Sequence, residues 1–119
     1  MTDPRELLPL KPLVFQVLLA LEAGERHGWS LVRDIQREDE RILPANFYRT
    51  LRAMLADGLI RDSDPPKRER GTPADALERR RYFALTALGR EAARLEARRL
   101  QHVVADARTQ RLLKAGRKP

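Results

Sequence analysis

Two segments of this sequence each begin with a proline and end with a glycine, which restricts the fold more than any other feature. Pro12 and Pro44 suit the first position of a helix, and Gly24 and Gly58 suit the position just past a helix end. Apolar residues recur at helical spacing in both segments. The sequence therefore predicts a first helix that begins at Pro12 and a third that runs from Pro44 to about Asp57.

A second helix is predicted between these two, over about residues 28–38. Its apolar face is formed by Leu31, Val32 and Ile35, with charged residues on the other side. The acidic run at its end opposes the helix dipole, so we expect the helix to stop there. A turn is predicted at about residues 39–43.

Two short strands are predicted after the third helix, at residues 59–62 and 81–85. The second strand is rich in β-favouring aromatic residues. The segment between them, residues 63–80, is polar and is interrupted by three prolines and a glycine, which break regular structure. The pattern indicates a β-hairpin with a long basic loop.

A last helix is predicted from about Ala87 to Leu113, with Thr86 as its N-cap. About 27 residues at 1.5 Å each give roughly 40 Å of helix, more than the core of so small a chain can cover. A second copy of the chain would bury the surplus. The predicted dimerisation stripe has helical spacing and consists of Leu88, Ala92, Leu95, Val103 and Ala107.

Three helices followed by a two-stranded hairpin is the element order of a winged helix-turn-helix. The predicted fold is therefore mainly α with a small β-hairpin, extended by a long C-terminal dimerisation helix. We expect a DNA-binding domain over residues 1–85, and the dimerisation helix and tail over residues 86–119.

Charge favours a polyanionic partner. The 119 residues include 24 Lys and Arg against 17 Asp and Glu, a formal net charge of +7. The excess is uneven: the net charge is −1 over residues 1–60, +2 over 61–85 and +6 over 86–119. Double-stranded DNA is the expected partner. An RNA-binding module is disfavoured, because base-stacking aromatics are not gathered on one strand face.

Several other classes of protein are not supported. No apolar run approaches the roughly 20 residues of a membrane span, and the N-terminus lacks the basic region of a secretory signal, so a cytoplasmic location is expected. The last helix has no Trp or Phe, which makes a membrane-surface role the weakest option. Without cysteine, a metal-ligand motif, a phosphate loop or a nucleophile signature, we expect no metal, no cofactor and no enzymatic activity.

The third helix is the expected recognition helix, which in a helix-turn-helix lies in the major groove. Asn can pair with adenine and Arg with guanine, and a tyrosine hydroxyl can reach a phosphate. The candidate DNA contacts on this helix are Asn46, Tyr48, Arg49 and Arg52. Two alternatives remain open: the arginines are solvated surface charges, and the tyrosine belongs partly to the core.

The hairpin loop carries basic residues suited to phosphate contacts beside the groove, which position a protein without reading sequence. These candidate contacts are Lys67, Arg68, Arg70, Arg79 and Arg80. The alternative is a solvated basic loop with no dedicated partner.

Four motifs in order resemble those of the PadR-like family of transcriptional regulators. The family has an HGY-type helix start, a TLY-type recognition helix, a DGLI turn into the wing and an RRYYRLT-type wing strand. The corresponding segments here are His27-Gly28-Trp29-Ser30-Leu31, Phe47-Tyr48-Arg49-Thr50-Leu51, Asp57-Gly58-Leu59-Ile60 and Arg80-Arg81-Tyr82-Phe83-Ala84-Leu85-Thr86. The resemblance extends over about residues 13–95.

This resemblance implies a homodimeric, sequence-specific regulator, in most members a repressor, that binds a pseudo-palindromic operator. It also implies dimerisation through the last helix and release by a small aromatic or cationic effector. The chain departs from the family in its longer wing loop and in Leu43, which replaces a capping residue before the third helix. The alternative is a winged-helix protein-interaction module that binds DNA only non-specifically.

Trp29 also departs from the family, which has tyrosine at this position. As the only tryptophan it is a candidate effector contact, able to stack on a flat ligand. The favoured interpretation is that it packs the second helix against the wing or the last helix. Neighbouring His27 is expected to be structural, hydrogen-bonded to nearby backbone.

Overall fold

The computed structural model describes residues 2–64 and 81–116. A short 3-10 helix precedes five α-helices and three β-strands in these ranges. The elements are the 3-10 helix Pro4–Leu7, α1 Pro12–Leu21, β1 Arg26–His27, α2 Gly28–Glu38, α3 Pro44–Ala56, β2 Ile60–Ser63, β3 Tyr82–Leu85, α4 Ala87–Ala105 and α5 Ala107–Ala115.

Pro12, Pro44 and Gly58 set the limits of α1 and α3 as predicted, whereas α1 ends at Leu21, three residues before the predicted stop at Gly24. Pro12 and Pro44 are the first residues of these helices. Gly24 and Gly58 follow the helix ends with φ of +141° and +77°, a region that side chains with a Cβ rarely adopt. Leu43 makes no side-chain capping bond to α3, as the sequence predicts.

The core is aliphatic and brings α1, α2 and α3 together beneath the sheet. Each helix contributes the apolar face that its sequence spacing predicts. Its fully buried large side chains are Val17, Leu18, Leu21, Leu31, Phe47, Leu51, Met54 and Ile60. One face of α3 is therefore fixed to the core, and the opposite face lies at the surface.

The two predicted wing strands are present as the antiparallel pair β2 and β3, and a third short strand, β1, which the sequence did not predict, extends them to a three-stranded wing. The strand order is β1-β3-β2, and both neighbours of β3 are antiparallel to it. β1 has only two residues, too few to show the alternation of polar and apolar side chains that is typical of a strand. It is recognised as a strand only because it pairs with β3. The backbone N–H of Gly28 also donates to the carbonyl of Arg81 at 2.9 Å, which ties the start of α2 to the wing.

The predicted last helix is present, but it is divided into α4 and α5, so the prediction of one continuous helix was wrong. The chain is extended at Asp106, with φ −60° and ψ 137°, and this residue separates α4 from α5. Its carboxylate accepts a hydrogen bond from the N–H of Arg108 at 2.8 Å, which makes it the N-cap of α5. Because apolar residues continue at helical spacing across residue 106, periodicity alone did not show the break.

The start of α4 is fixed against the turn between α3 and β2. Thr86 caps α4 as predicted: its hydroxyl accepts from the N–H of Gly89 at 2.9 Å and lies 2.5 Å from the carbonyl of Gly58. A Cβ on Gly89 would lie 1.9 Å from the carbonyl oxygen of Leu59. Only glycine allows α4 to approach this closely.

A buried carboxylate marks the place where α4 meets the N-terminal segment. Glu96 is 2% exposed and accepts hydrogen bonds from Arg99 at 2.6 and 3.0 Å. These bonds, together with one from the backbone of Leu10, hold the pKa of the Glu96 carboxyl below its ordinary value. Leu10 is itself part of the core.

Candidate nucleic-acid interface

α3 presents the four predicted side chains on its outer face. Asn46, Arg49 and Arg52 are exposed, while Phe47 and Leu51 between them are buried. Because the buried residues fix the helix rotation, the polar ones point to solvent in one row. No acidic residue occurs between the first and last residues of the helix, residues 44–56. This face can therefore approach a polyanion without repulsion from its own helix.

Tyr48 lies between core and surface. Its ring meets that of Phe47 edge-on, with centroids 5.7 Å apart, and 37% of the residue is exposed. Both sequence interpretations thus describe part of its environment: the ring packs partly against the protein, and the residue also reaches the surface.

A cleft of about 220 Å³ lies between α3, the start of α2 and β3; we call it the wing cleft. Leu51 and Phe83 are buried beneath it, and three polar side chains from α3 and the wing border it. Its lining residues are Gly28, Tyr48, Leu51, Arg52, Arg81 and Phe83. The cleft therefore connects the predicted recognition helix with the wing.

Arg81 is the polar residue of this cleft that the sequence interpretation missed. Its guanidinium forms an ion pair with Asp62 on β2 at 2.5 Å and lies 5.4 Å from the centroid of the Phe83 ring. The signal was present as three consecutive arginines before the second wing strand. Arg79 and Arg80 were assigned to the loop, whereas Arg81 directly precedes β3. The position of Arg81 therefore depends on how β3 pairs with β2.

Trp29 is more than half exposed, at 54%, so the favoured interpretation of a packing residue between α2 and the wing or last helix was wrong. The apolar face of α2 is formed by other residues, and Trp29 projects from its opposite side. Arg33, one turn along α2, places its guanidinium 4.6 Å from the indole centroid. The ring also stacks on His27 at 6.3 Å.

His27 has the structural role that was predicted. Its Nδ1 accepts a hydrogen bond from the N–H of Ser30 at 3.0 Å, which caps α2. Its ring stacks on Tyr82 of β3 at 5.5 Å.

The predicted dimerisation residues occupy different environments along α4 and α5. Ala92 is fully buried in the core and offers no free surface, whereas Leu88 packs against the core and is only partly buried. Leu95 is half-buried, whereas Val103 is 48% exposed and Ala107 is exposed. The large apolar side chains exposed along this part of the chain are Val103, Val104, Leu112 and Leu113.

The remaining predictions concern the wing loop, metal binding and membrane spans. The proposed wing contacts Lys67, Arg68, Arg70, Arg79 and Arg80 lie outside the described residues. Within residues 2–64 and 81–116, no group of three or more His, Asp or Glu residues is arranged to hold a metal ion. In the same ranges, no helix has both the length and the apolar character needed to cross a bilayer.

Three helices, an exposed and acid-free face on α3 and an antiparallel wing define a winged helix-turn-helix protein. The profile of the transcriptional regulator PadR-like family matches residues 17–95, more than half of the chain. The protein belongs to this family and is a regulator, not an enzyme.

Several solved structures share the fold. The RosR protein in its complex with S4 superposes with a TM-score of 0.67 at 21% identity, over 95% of this chain and 91% of that one. RosR of H. salinarum gives 0.64 at 21% identity, over 92% and 91%. A PadR family transcription regulator from Clostridium difficile R20291 gives 0.58 at 20%, over 79% and 95%. A comparison with curated proteins gave no significant match.

Proposed function

We propose that this PadR-family regulator binds a pseudo-palindromic DNA operator as a homodimer and represses transcription there. The observation that carries the proposal is the outer face of α3. It aligns Asn46, Arg49 and Arg52 on a helix that has no acidic residue and whose other face is fixed in the core. An operator-binding protein must be in the same compartment as the chromosome, and the predicted cytoplasmic location meets this requirement.

Sequence selectivity is assigned to the polar residues of α3. Asn46, in the first turn, suits a bidentate pair with adenine, and Arg49 suits one with guanine. Each such pair contributes about 1–3 kcal/mol of discrimination. Arg52, one turn further on, lies beside the wing, where it borders the same cleft as Arg81. The basic residues of the wing loop are assigned to phosphate contacts, which add affinity without selectivity.

Dimerisation is assigned to the second half of α4 and to α5. This part of the chain extends beyond the core and exposes Val103, Val104, Leu112 and Leu113. A second copy would cover these side chains and place two recognition helices about 34–36 Å apart, one turn of DNA. We therefore assign DNA binding to residues 1–85 and dimerisation to residues 86–119. These two parts are not separate folding units, because α4 also packs against the DNA-binding part.

Repression follows from occupancy: a dimer across a promoter excludes the polymerase. Release by an effector is the second part of the regulatory proposal, and Trp29 is the candidate contact. Its exposed indole, already stacked with a guanidinium, has the chemistry to bind a flat ligand.

Titration of the protein with DNA from upstream of its own gene and with a scrambled duplex tests the proposal. At about 150 mM salt, purely electrostatic binding is weak, at micromolar affinity or poorer. We expect a preference of about a hundredfold for the operator, and Arg49→Ala should reduce that preference by about tenfold or more.

The control is Arg98→Ala, which removes the same charge from an exposed position on α4 and should leave the preference unchanged. Equal and weak binding of the wild-type protein to both duplexes, and to DNA fragments selected from random sequence, would contradict the proposal. It would favour the alternative of a protein-interaction module with only non-specific DNA binding.

A further inference from the structure

We propose that the wing cleft holds one phosphate of the DNA backbone, with Arg81 as its principal cation. Arg52 and Tyr48 border the same cleft and complete the site from the α3 side. The inference rests on the proposed function, because it takes DNA as the ligand. It adds a specific binding site between α3 and the wing, formed by a residue outside the predicted contacts.

The lining of the cleft suits an anion. Two guanidinium groups and a phenol hydroxyl border it, and no carboxylate is among its lining residues. Guanidinium groups bind phosphate oxygens through two parallel hydrogen bonds, and a tyrosine hydroxyl can donate a third. A cleft of about 220 Å³ exceeds the roughly 30 Å³ of a water molecule severalfold, so it can admit a phosphodiester group.

Gly28 keeps the cleft open at its base. A Cβ at this position would lie 3.2 Å from Cε2 of Phe83 and 3.4 Å from Cε1 of Tyr48. It would therefore occupy the space where the start of α2 approaches both rings. The absence of a side chain here lets three elements converge while leaving room between them.

The strand geometry directs Arg81 toward this cleft. Residues two apart on a strand share a face, so Arg81 lies on the same side of β3 as Phe83. Asp62 pairs with Phe83 in the strand register, and directly opposed residues also share a face. Contact with the Phe83 ring positions the guanidinium beside the cleft before any ligand arrives.

In the absence of DNA, the guanidinium of Arg81 is paired with the carboxylate of Asp62. The ion pair is exposed on both sides, at 56% for Arg81 and 63% for Asp62, so water and salt screen it strongly. A phosphate offers Arg81 a bidentate partner of similar geometry and would replace the carboxylate. Asp62 then remains close to the phosphate and repels it, which limits how tightly DNA of any sequence is held.

The test compares Arg81→Ala, Asp62→Asn and the charge-matched Arg98→Ala in titrations of operator and scrambled DNA across a salt series. A lost phosphate contact lowers the slope of log affinity against log salt by about 0.9 per protomer. Between about 50 and 200 mM salt, the wild-type advantage over Arg81→Ala should therefore shrink roughly 3.5-fold per protomer. Asp62→Asn should raise affinity for both duplexes, and Arg98→Ala should change neither slope nor selectivity.

The outcomes separate this site from the proposed function. Selective wild-type binding, with Arg81→Ala and Arg98→Ala giving the same slope, overturns the cleft site and leaves the regulator intact. Unselective wild-type binding with a lower slope only for Arg81→Ala supports the site and contradicts sequence-specific regulation. Absence of DNA binding overturns both. Unchanged thermal unfolding of Arg81→Ala would show that the substitution acts on binding, as expected for an exposed side chain.

Discussion

At the scale of single residues, Gly89 has the tightest environment among the glycines that the structure describes. The atoms that a Cβ at this position would meet are all backbone atoms of Leu59, which cannot move aside as the end of a flexible side chain can. Tight approach of α4 to the turn before β2 therefore depends on the absence of a side chain at one position.

Gly89→Ala should lower the thermal unfolding midpoint by about 5 °C or more. The added methyl group displaces α4 or the turn, and overpacking of this kind costs about 1–3 kcal/mol or more. Gly116→Ala is the matched control, because its Cβ would meet its nearest neighbours at an ordinary 3.7 Å. Equal midpoints for the two variants, measured by circular dichroism, would show that the junction tolerates a Cβ.

At the scale of elements, the sequence predicted most of the helices. It did not predict the features that depend on contacts between distant parts of the chain or on a local capping bond. The proline and glycine signals around α1 and α3 are local, so they were visible in the sequence. β1 exists because two residues pair with β3, and the break at Asp106 reflects a capping bond that apolar spacing does not reveal. Arg81 was missed for the same reason, since only the strand register directs it toward α3.

The packing of α4 against the N-terminal segment has a predictable pH dependence through Glu96. The Arg99 hydrogen bonds lower the pKa of Glu96 in the folded protein below its value in the unfolded chain, about 4.3. Their stabilisation is therefore fully present above that pH and is lost as the pH falls through the folded-state pKa.

Glu96→Gln should destabilise the protein at pH 7 by about 1.5–3 kcal/mol, the range for hydrogen bonds to charged groups. The difference from wild type should decrease as the pH falls below the unfolded-state pKa and through the lowered folded-state pKa, because the wild-type carboxyl becomes neutral in that window. Unfolding midpoints measured across this range test the sign. Glu25→Gln, at an exposed position with no ion pair among the described residues, controls for loss of charge at pH 7. A difference that grew on acidification would contradict the assignment.

At the scale of the whole molecule, the unpartnered surface is concentrated beyond the core. The exposed apolar side chains of late α4 and α5 occur in the segment that also has the largest positive charge, +6 over residues 86–119. Apolar contacts must therefore overcome repulsion between like-charged copies if this segment dimerises. That requirement makes the proposed interface sensitive to both substitution and ionic strength.

Val103→Glu should shift the protein from dimer to monomer in sedimentation velocity. A carboxylate buried without a partner in each copy should weaken association by about a hundredfold or more. Gln101→Glu is the matched control: it adds the same charge two residues away, on the opposite side of α4, and should leave the dimer intact. An unchanged dimer for Val103→Glu would place the interface on another face.

The close contact at Gly89 also holds one end of α4, so a small change in the angle of the helix there moves its other end by a larger distance. From Gly89 to Ala105, α4 is a rod of about 24 Å, so a tilt of about 10° at its base moves its far end by about 4 Å. In a symmetric pair, the same tilt in each copy would change the separation of the two recognition helices. In the proposed dimer, a junction that fixes this angle would set the distance between the two recognition helices, and with it the spacing of operator half-sites that the dimer binds.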